Sequence, residues 1–346
     1  MVEQYVGRVI FFTEQSGGAC ARYRAQLPSM ALNERGWFCR LSGQWKPKML
    51  DEFDIFVFQR INSKEGVALV EALNDAKKIT VYDIDDDLIN IPRSSPVFDL
   101  MLNKGDLIGY QLMAMARCDA INVTTERLRE VYHGFNEGVK ILPNLVRYKS
   151  WEGLAPFRYG KEGDIILGWA GSNTHADALK LLETPLKEVF DRYSNTYLVV
   201  MGDDLPFDFP IDRYIVIPWS KYRLFQSVVL GFDIGLAPLG KTPFNLAKSN
   251  LRLLEFGSAG IPCIGTRWGE YEKLIEDGKS GLLCDTAQDW IIAISRMIEE
   301  ENLRKSTAEA LRQEIILKNF ELENGIVERE TYYLNLIEEH YGGPRI

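Results

Sequence analysis

The stretch that decides the fold runs from Phe232 to Trp268 and reads FDIGLAPLGKTPFNLAKSNLRLLEFGSAGIPCIGTRW. FDIGLAPL is an apolar run of strand length and reads as a buried strand. GKTPFN follows as a polar loop. The next residues read as a helix whose first turn carries Lys248, Ser249 and Asn250, with Ser249 as its N-cap. Amides at a helix start lack intrahelical partners, and the dipole there favours anions. Lys248 adds a mobile positive charge, so the group suits a diphosphate. Glu255 lies seven residues further on the same face, about 10 Å along the axis. That is the reach from a diphosphate to the ribose of one nucleotide, whose hydroxyls a carboxylate can accept from. Leu251 and Leu254 are expected in the core. Gly257 to Gly260 should end the helix and let the next strand pack closely. The plain alternative is that Lys248 and Glu255 are exposed helix charges.

Outward from this stretch, the chain alternates apolar runs with amphipathic ones. RVIFFT, WFCRL, DIFVFQR, KITVYDI, AINVT and GVKILPN are strand candidates in the first 145 residues. Helices are expected at Arg22–Glu34, Lys64–Asn74, Asp106–Cys118 and Glu126–Tyr132. The alternation predicts a parallel sheet with helices on both faces, whose ligands bind beyond the carboxyl ends of the strands. NLVRYKSWEGLAPFRYGKEG is polar, aromatic and turn-rich and reads as a linker. The pattern then restarts with DIILGWA, TYLVVMG, RYIVIPW, FDIGLAPL and IPCIGT. The expected organisation is a first domain over residues 1–146, a linker over 147–163 and a second α/β domain over 164–323. A final helix over 324–346 is expected to return to the first domain.

Three further groups sit at predicted strand ends. GWAGSNTHADAL turns at Gly171 and Ser172 into a helix whose first turn carries His175, a candidate donor to a phosphate or a sugar. Its bland reading is a capped helix with an exposed histidine. VYDIDDDL crowds Asp83, Asp85, Asp86 and Asp87 at one strand end, where like charges raise one another's pKa. One of Asp85, Asp86 and Asp87 is a candidate to accept or orient an acceptor hydroxyl's proton. A metal-binding DxD loop and N-capping by Asp87 are the competing readings. SGGACARYR places Gly17 and Gly18 where backbone can approach a ligand, with Arg22 and Arg24 available to phosphate or acceptor. Solvated arginines on an ordinary turn are the alternative. Pro218–Trp219 offers a ring beside the same sheet.

With these residues in hand, the second half resembles the GT-B glycosyltransferases, and within them the retaining enzymes of the GT4 family. Glu255, SAGIPCIGT and the downstream GEYEKLIEDGKSGLLCD carry the likeness, which covers Asp164 to Glu301. The family's first glutamate would fall at Ala247, and Lys248 with its KSN context stands there instead. The resemblance implies two Rossmann-like parallel-sheet domains facing each other across a cleft. It implies a nucleoside-diphosphate sugar, UDP- or GDP-linked, as donor and an acceptor hydroxyl, with retention of configuration and no metal. In that reading Asp85, Asp86, Asp87, His175 and Lys248 are the catalytic candidates. Gly17, Gly18, Gly171, Ser172, Trp219, Lys248, Ser249, Asn250 and Glu255 are the donor-binding candidates. Two other readings stay open: an epimerase or hydrolase of sugar nucleotides, and a noncatalytic binding module.

Composition narrows the classes. The chain has 346 residues, 46% hydrophobic and 26% charged, suiting two domains. Its net charge of −9 argues against broad nucleic-acid affinity. A modified DNA base stays in the acceptor set beside a glycan, a lipid-linked sugar and a small metabolite. Cys20, Cys39, Cys118, Cys263 and Cys284 are scattered, with no CxxC, and three histidines are far apart, so neither zinc nor a disulfide framework is expected. No apolar run approaches the ~20 residues of a membrane helix, and the start lacks a signal peptide's pattern. A cytoplasmic protein is expected. No nucleophile elbow, Walker sequence or GxGxxG after the first strand is present.

Overall fold

The computed structural model describes residues 5–13, 18–95, 98–103, 106–171, 176–202, 204–207 and 212–342. Two six-stranded sheets organise it, and every strand pairing within them is parallel. The first contains β1 Arg8–Thr13, β2 Phe38–Ser42, β3 Ile55–Gln59, β4 Ile79–Asp83, β5 Ala120–Val123 and β6 Val139–Ile141, in the order β2-β1-β3-β4-β5-β6. The second contains β7 Ile165–Gly171, β8 Thr196–Gly202, β9 Tyr214–Ile217, β10 Ile234–Ala237, β11 Cys263–Thr266 and β12 Leu282–Cys284, in the order β12-β11-β10-β7-β8-β9. Such strands are covered on both faces, which is why IFVFQ, ITVYD and IGLA are buried end to end.

Each order reverses once. In the first sheet the chain turns back between β1 and β3, in the second between β7 and β10. Doubly wound sheets bind ligands beyond the carboxyl ends of the strands at that reversal. The fold is therefore α/β, two Rossmann-like lobes, each with one preformed place for a ligand.

The joint between the lobes is substantial. The helix Leu322–Tyr341 packs on the first lobe: Trp37 and Tyr333 meet edge to face at 6.2 Å, and Trp37 Nε1 donates to Glu330 at 3.0 Å. The segment read as a polar linker holds a short 3-10 helix, Tyr148–Trp151, and buries both of those aromatic residues. Trp151 lies against Tyr222 and Phe225 of the second lobe. Its aromatic content reports a packed joint between lobes, which polarity alone did not show.

Two element boundaries differ from expectation. The helical segment read as Arg22–Glu34 begins at Ala19 and passes through a π-helical stretch, Arg22–Gln26, before Leu27–Glu34. The helix expected to begin around Lys248–Asn250 spans Leu251–Ala259 and ends on Gly260 in the left-handed region, φ 71°. Asn250 holds the N-cap position without a side-chain bond, so Ser249 is not the cap. Leu251 is only half-buried, whereas Leu253 and Leu254 are in the core. Among the described residues no helix is long and apolar enough to cross a membrane.

Candidate active site between the lobes

A cavity of about 720 Å³ opens between the two sets of strand ends, within the range of small-molecule sites. Thr13, Gln59 and Arg60 border it from the reversal point of the first sheet. Trp169, Gly171, Ala237 and Leu239 border it from the reversal point of the second. One space thus touches both places that the topology marks.

The second-lobe wall is shaped by bare backbone and cations. Gly202 has φ 128°, and a Cβ there would lie 1.8 Å from the Gly171 carbonyl oxygen, so the ends of β7 and β8 close on each other without side chains. Trp219 is 48% exposed and borders the cavity, its ring 5.7 Å from Phe225. Lys248, Ser249, Leu251 and Arg252 bring the start of the helix Leu251–Ala259 to the same wall. The first carbonyl of that helix to accept is Asn250, from the amides of Leu253 and Leu254. The Leu251 and Arg252 amides precede this ladder, as at any helix start.

Lys248 and Glu255 do not share a face. Lys248 lies before the helix, and its Nζ donates to Asp86 Oδ1 across the cleft at 2.5 Å. Glu255 is 5% exposed and does not border the cavity; Oε1 accepts from Tyr23 of the first lobe and Oε2 from Arg252, each at 2.7 Å. Burial pushes its carboxyl up, and Arg252 and the Tyr23 bond only partly oppose this. Asn250 is buried, away from the cavity lining. Ser249 Oγ accepts from Asn144 of the first lobe at 3.0 Å.

The first-lobe wall carries the acidic cluster, and its electrostatics are the reverse of a self-repelling group. Arg60 pairs with both Asp85 and Asp86. Burial pushes the Asp86 carboxyl up, but Lys248 and then Arg60 outweigh it and hold the group well below the ordinary range. A carboxylate held that firmly ionised has little proton affinity, so Asp86 is suited to orienting cations and not to taking a proton. Asp87 is buried and ties the following loop, accepting from the amides of Ile89 and Asn90. It caps a turn and no helix. Among the described residues no cluster of three or more His, Cys, Asp or Glu is placed to hold a metal.

The arginines of SGGACARYR separate. Arg24 is fully buried, with paired contacts to Asp83 at 2.8 and 2.9 Å and a bond to the Leu142 carbonyl, so it does not meet a ligand. Arg22 lies over the Tyr222 ring at 3.5 Å, another contact between lobes. Gly18 precedes Ala19, Cys20 and Ala21, which border the cavity. Gly17, Ser172 and His175 lie outside the described residues. Arg252, Tyr23, Asn144 and Gln111 were not singled out from sequence. Their signal is contact across the chain; only Arg252, three residues before Glu255, had a local one.

Two facing doubly wound lobes with one cavity between their strand ends define the GT-B architecture. Residues 222–326 match the family model described as glycosyl transferase-like. A curated relative, N-acetyl-alpha-D-glucosaminyl L-malate synthase of Bacillus anthracis, is 30% identical over 213 residues, 61% of this chain and 49% of the relative. The chain spans about half the length of that relative. Among solved structures, sucrose-phosphate synthase of Thermosynechococcus elongatus superposes with a TM-score of 0.67 at 11% identity, over 96% of this chain and all of that one. Anabaena HepE in complex with UDP and glucose gives 0.65 at 11% identity, over 94% and 99%. The chain thus has the GT-B fold, and its residues 222–326 are glycosyl transferase-like in sequence.

Proposed function

We propose that the chain transfers a sugar from a nucleoside-diphosphate sugar, UDP- or GDP-linked, to an acceptor hydroxyl, with retention at the anomeric carbon. The observation that carries this is the second-lobe wall: Lys248, Arg252 and a helix start converge on a cavity floored by the bare backbone of Gly171 and Gly202. The cations and backbone amides of that wall suit holding a diphosphate. The diphosphate sits against Lys248, Arg252 and the Leu251 and Arg252 amides, and the base lies toward Trp219. Glu255, buried behind this wall, holds Arg252 in place for the phosphates.

The bond from the anomeric carbon to the diphosphate oxygen breaks, and its electron pair leaves with the diphosphate. The acceptor oxygen bonds to that carbon, and its proton passes to the departing phosphate oxygen. Fixed cations and N–H donors stabilise the charge that builds on the leaving group. Asp85 and Asp86 hold Arg60 and Lys248 in place until the donor arrives, when Lys248 turns from Asp86 to the phosphate. The UDP and glucose bound by Anabaena HepE support a sugar-nucleotide donor. Five cysteines without disulfides suit the cytoplasm.

The test is nucleoside-diphosphate release from a panel of UDP- and GDP-sugars, with and without added alcohols. Release that needs the alcohol, and that drops at least tenfold in Lys248→Ala, supports transfer. Release that is indifferent to the alcohol favours a hydrolase or a hydrolysing epimerase. No release from any donor sinks the transferase reading.

A further inference from the structure

We infer that the acceptor has an apolar body carrying its hydroxyl and one hydrogen-bond donor aimed at Gln111, and is not a free polyhydroxylated sugar. This rests on the transferase reading above and concerns the first-lobe side of the same cavity. Past the charged group Arg60, Asp85 and Asp86, the wall changes character. Leu88, Ile91 and Met101, all from the chain beyond β4, border the cavity together with Ala19 and with Phe244 from the second lobe.

Gln111 belongs to the same wall and is 2% exposed, and its Oε1 is buried without a hydrogen-bond partner. Buried amide oxygens are nearly always paired, so one that is not calls for a donor. An occupant that supplies one N–H or O–H there satisfies it.

A free sugar fits this wall badly. Hydroxyls that face Leu88, Ile91, Met101 or Phe244 exchange bonds with water for apolar contact, which costs free energy. An aryl or alicyclic body gains from the same contact by leaving water. Cys20 adds no charge to the wall, because burial pushes its thiol up to about 12. The wall therefore discriminates by the body of the acceptor, while the hydroxyl that reacts faces the charged end.

The test compares 4-nitrophenyl β-D-glucoside with methyl β-D-glucoside by calorimetry, on the full chain with and without UDP. The two probes share the sugar and differ in the apolar body. The nitrophenyl compound is expected to bind at least tenfold tighter. Ile91→Asp and the milder Met101→Gln are each expected to shrink that preference at least threefold. Gln111→Leu is expected to weaken 4-aminophenyl β-D-glucoside, whose amine can donate to the Gln111 Oε1, at least threefold. Nucleoside-diphosphate binding, retained in all three variants, serves as the check on folding. Equal affinity for the two probes overturns the inference, as does a preference that persists unchanged in variants that still bind nucleotide. Failure of UDP, GDP and their sugars to bind the unmodified chain sinks the donor reading instead, and the glucoside comparison is then read on the free chain.

Discussion

At Lys248 one ammonium group stands between two anions: Asp86, which it holds now, and the diphosphate assigned to the cavity. The Asp86 carboxyl sits below its ordinary value of 3.8 when folded. The unfolded chain therefore binds more protons there as pH falls, so the group's contribution to stability is present above about pH 5 and is lost as pH drops through 4 and below. Asp86→Asn should flatten the fall of the urea midpoint between pH 5 and 3 relative to the unmodified chain. Arg24 is the contrasting case, a cation with no access to a ligand. Arg24→Ala leaves Asp83 buried with only Arg329 nearby, at 3.8 Å, and should lower unfolding free energy by about 3–5 kcal/mol, measured by urea titration. Lys248 was legible as a cation beside a helix start. Its partner was not, because the pair joins residues 162 apart in the chain and no periodicity records such a contact. For the same reason the aspartates read as mutually repelling, when Lys248 and Arg60 in fact hold the Asp86 carboxyl below its ordinary range.

At the scale of elements, the β7 and β8 ends decide whether the cavity has a floor. Gly202→Ala forces a Cβ onto the Gly171 carbonyl in a left-handed backbone that side chains rarely adopt. It should weaken nucleoside-diphosphate binding at least tenfold and lower the melting temperature, both read in one thermal-shift series. The strands were the most legible elements, since runs such as IFVFQ and ITVYD are mostly apolar and bounded by turns. The helix at Leu251 was legible in existence and displaced in its start. Ser249 looked like a cap by residue type, but its hydroxyl is engaged by Asn144 from the other lobe. The π-helical stretch Arg22–Gln26 has no sequence mark that periodicity would detect. It carries Tyr23 and Arg22, which reach Glu255 and Tyr222.

At the scale of the whole molecule, contacts including Tyr23 to Glu255, Thr125 to the Ala247 carbonyl, Asn144 to Ser249 and Lys248 to Asp86 clasp the lobes around the cavity. A donor that enters has to exchange at least the last of them, so binding and lobe geometry are linked. A ligand at one hundred times its dissociation constant stabilises the native state by about 2.7 kcal/mol. A nucleoside diphosphate of the right base should therefore raise the melting temperature in proportion to the logarithm of its concentration, and inorganic phosphate should do so far less. Two similar α/β units and the region between them were readable from alternation alone. The cleft was expected from the family resemblance and not from alternation, because it belongs to neither unit. The most direct measurement is a calorimetric titration of UDP and GDP into the unmodified chain and into Lys248→Ala. Binding of one nucleotide to the unmodified chain, weakened at least tenfold in the variant, is the expected result. Equal affinity in the two proteins, or no binding of either nucleotide, contradicts the assignment of the cavity to a diphosphate.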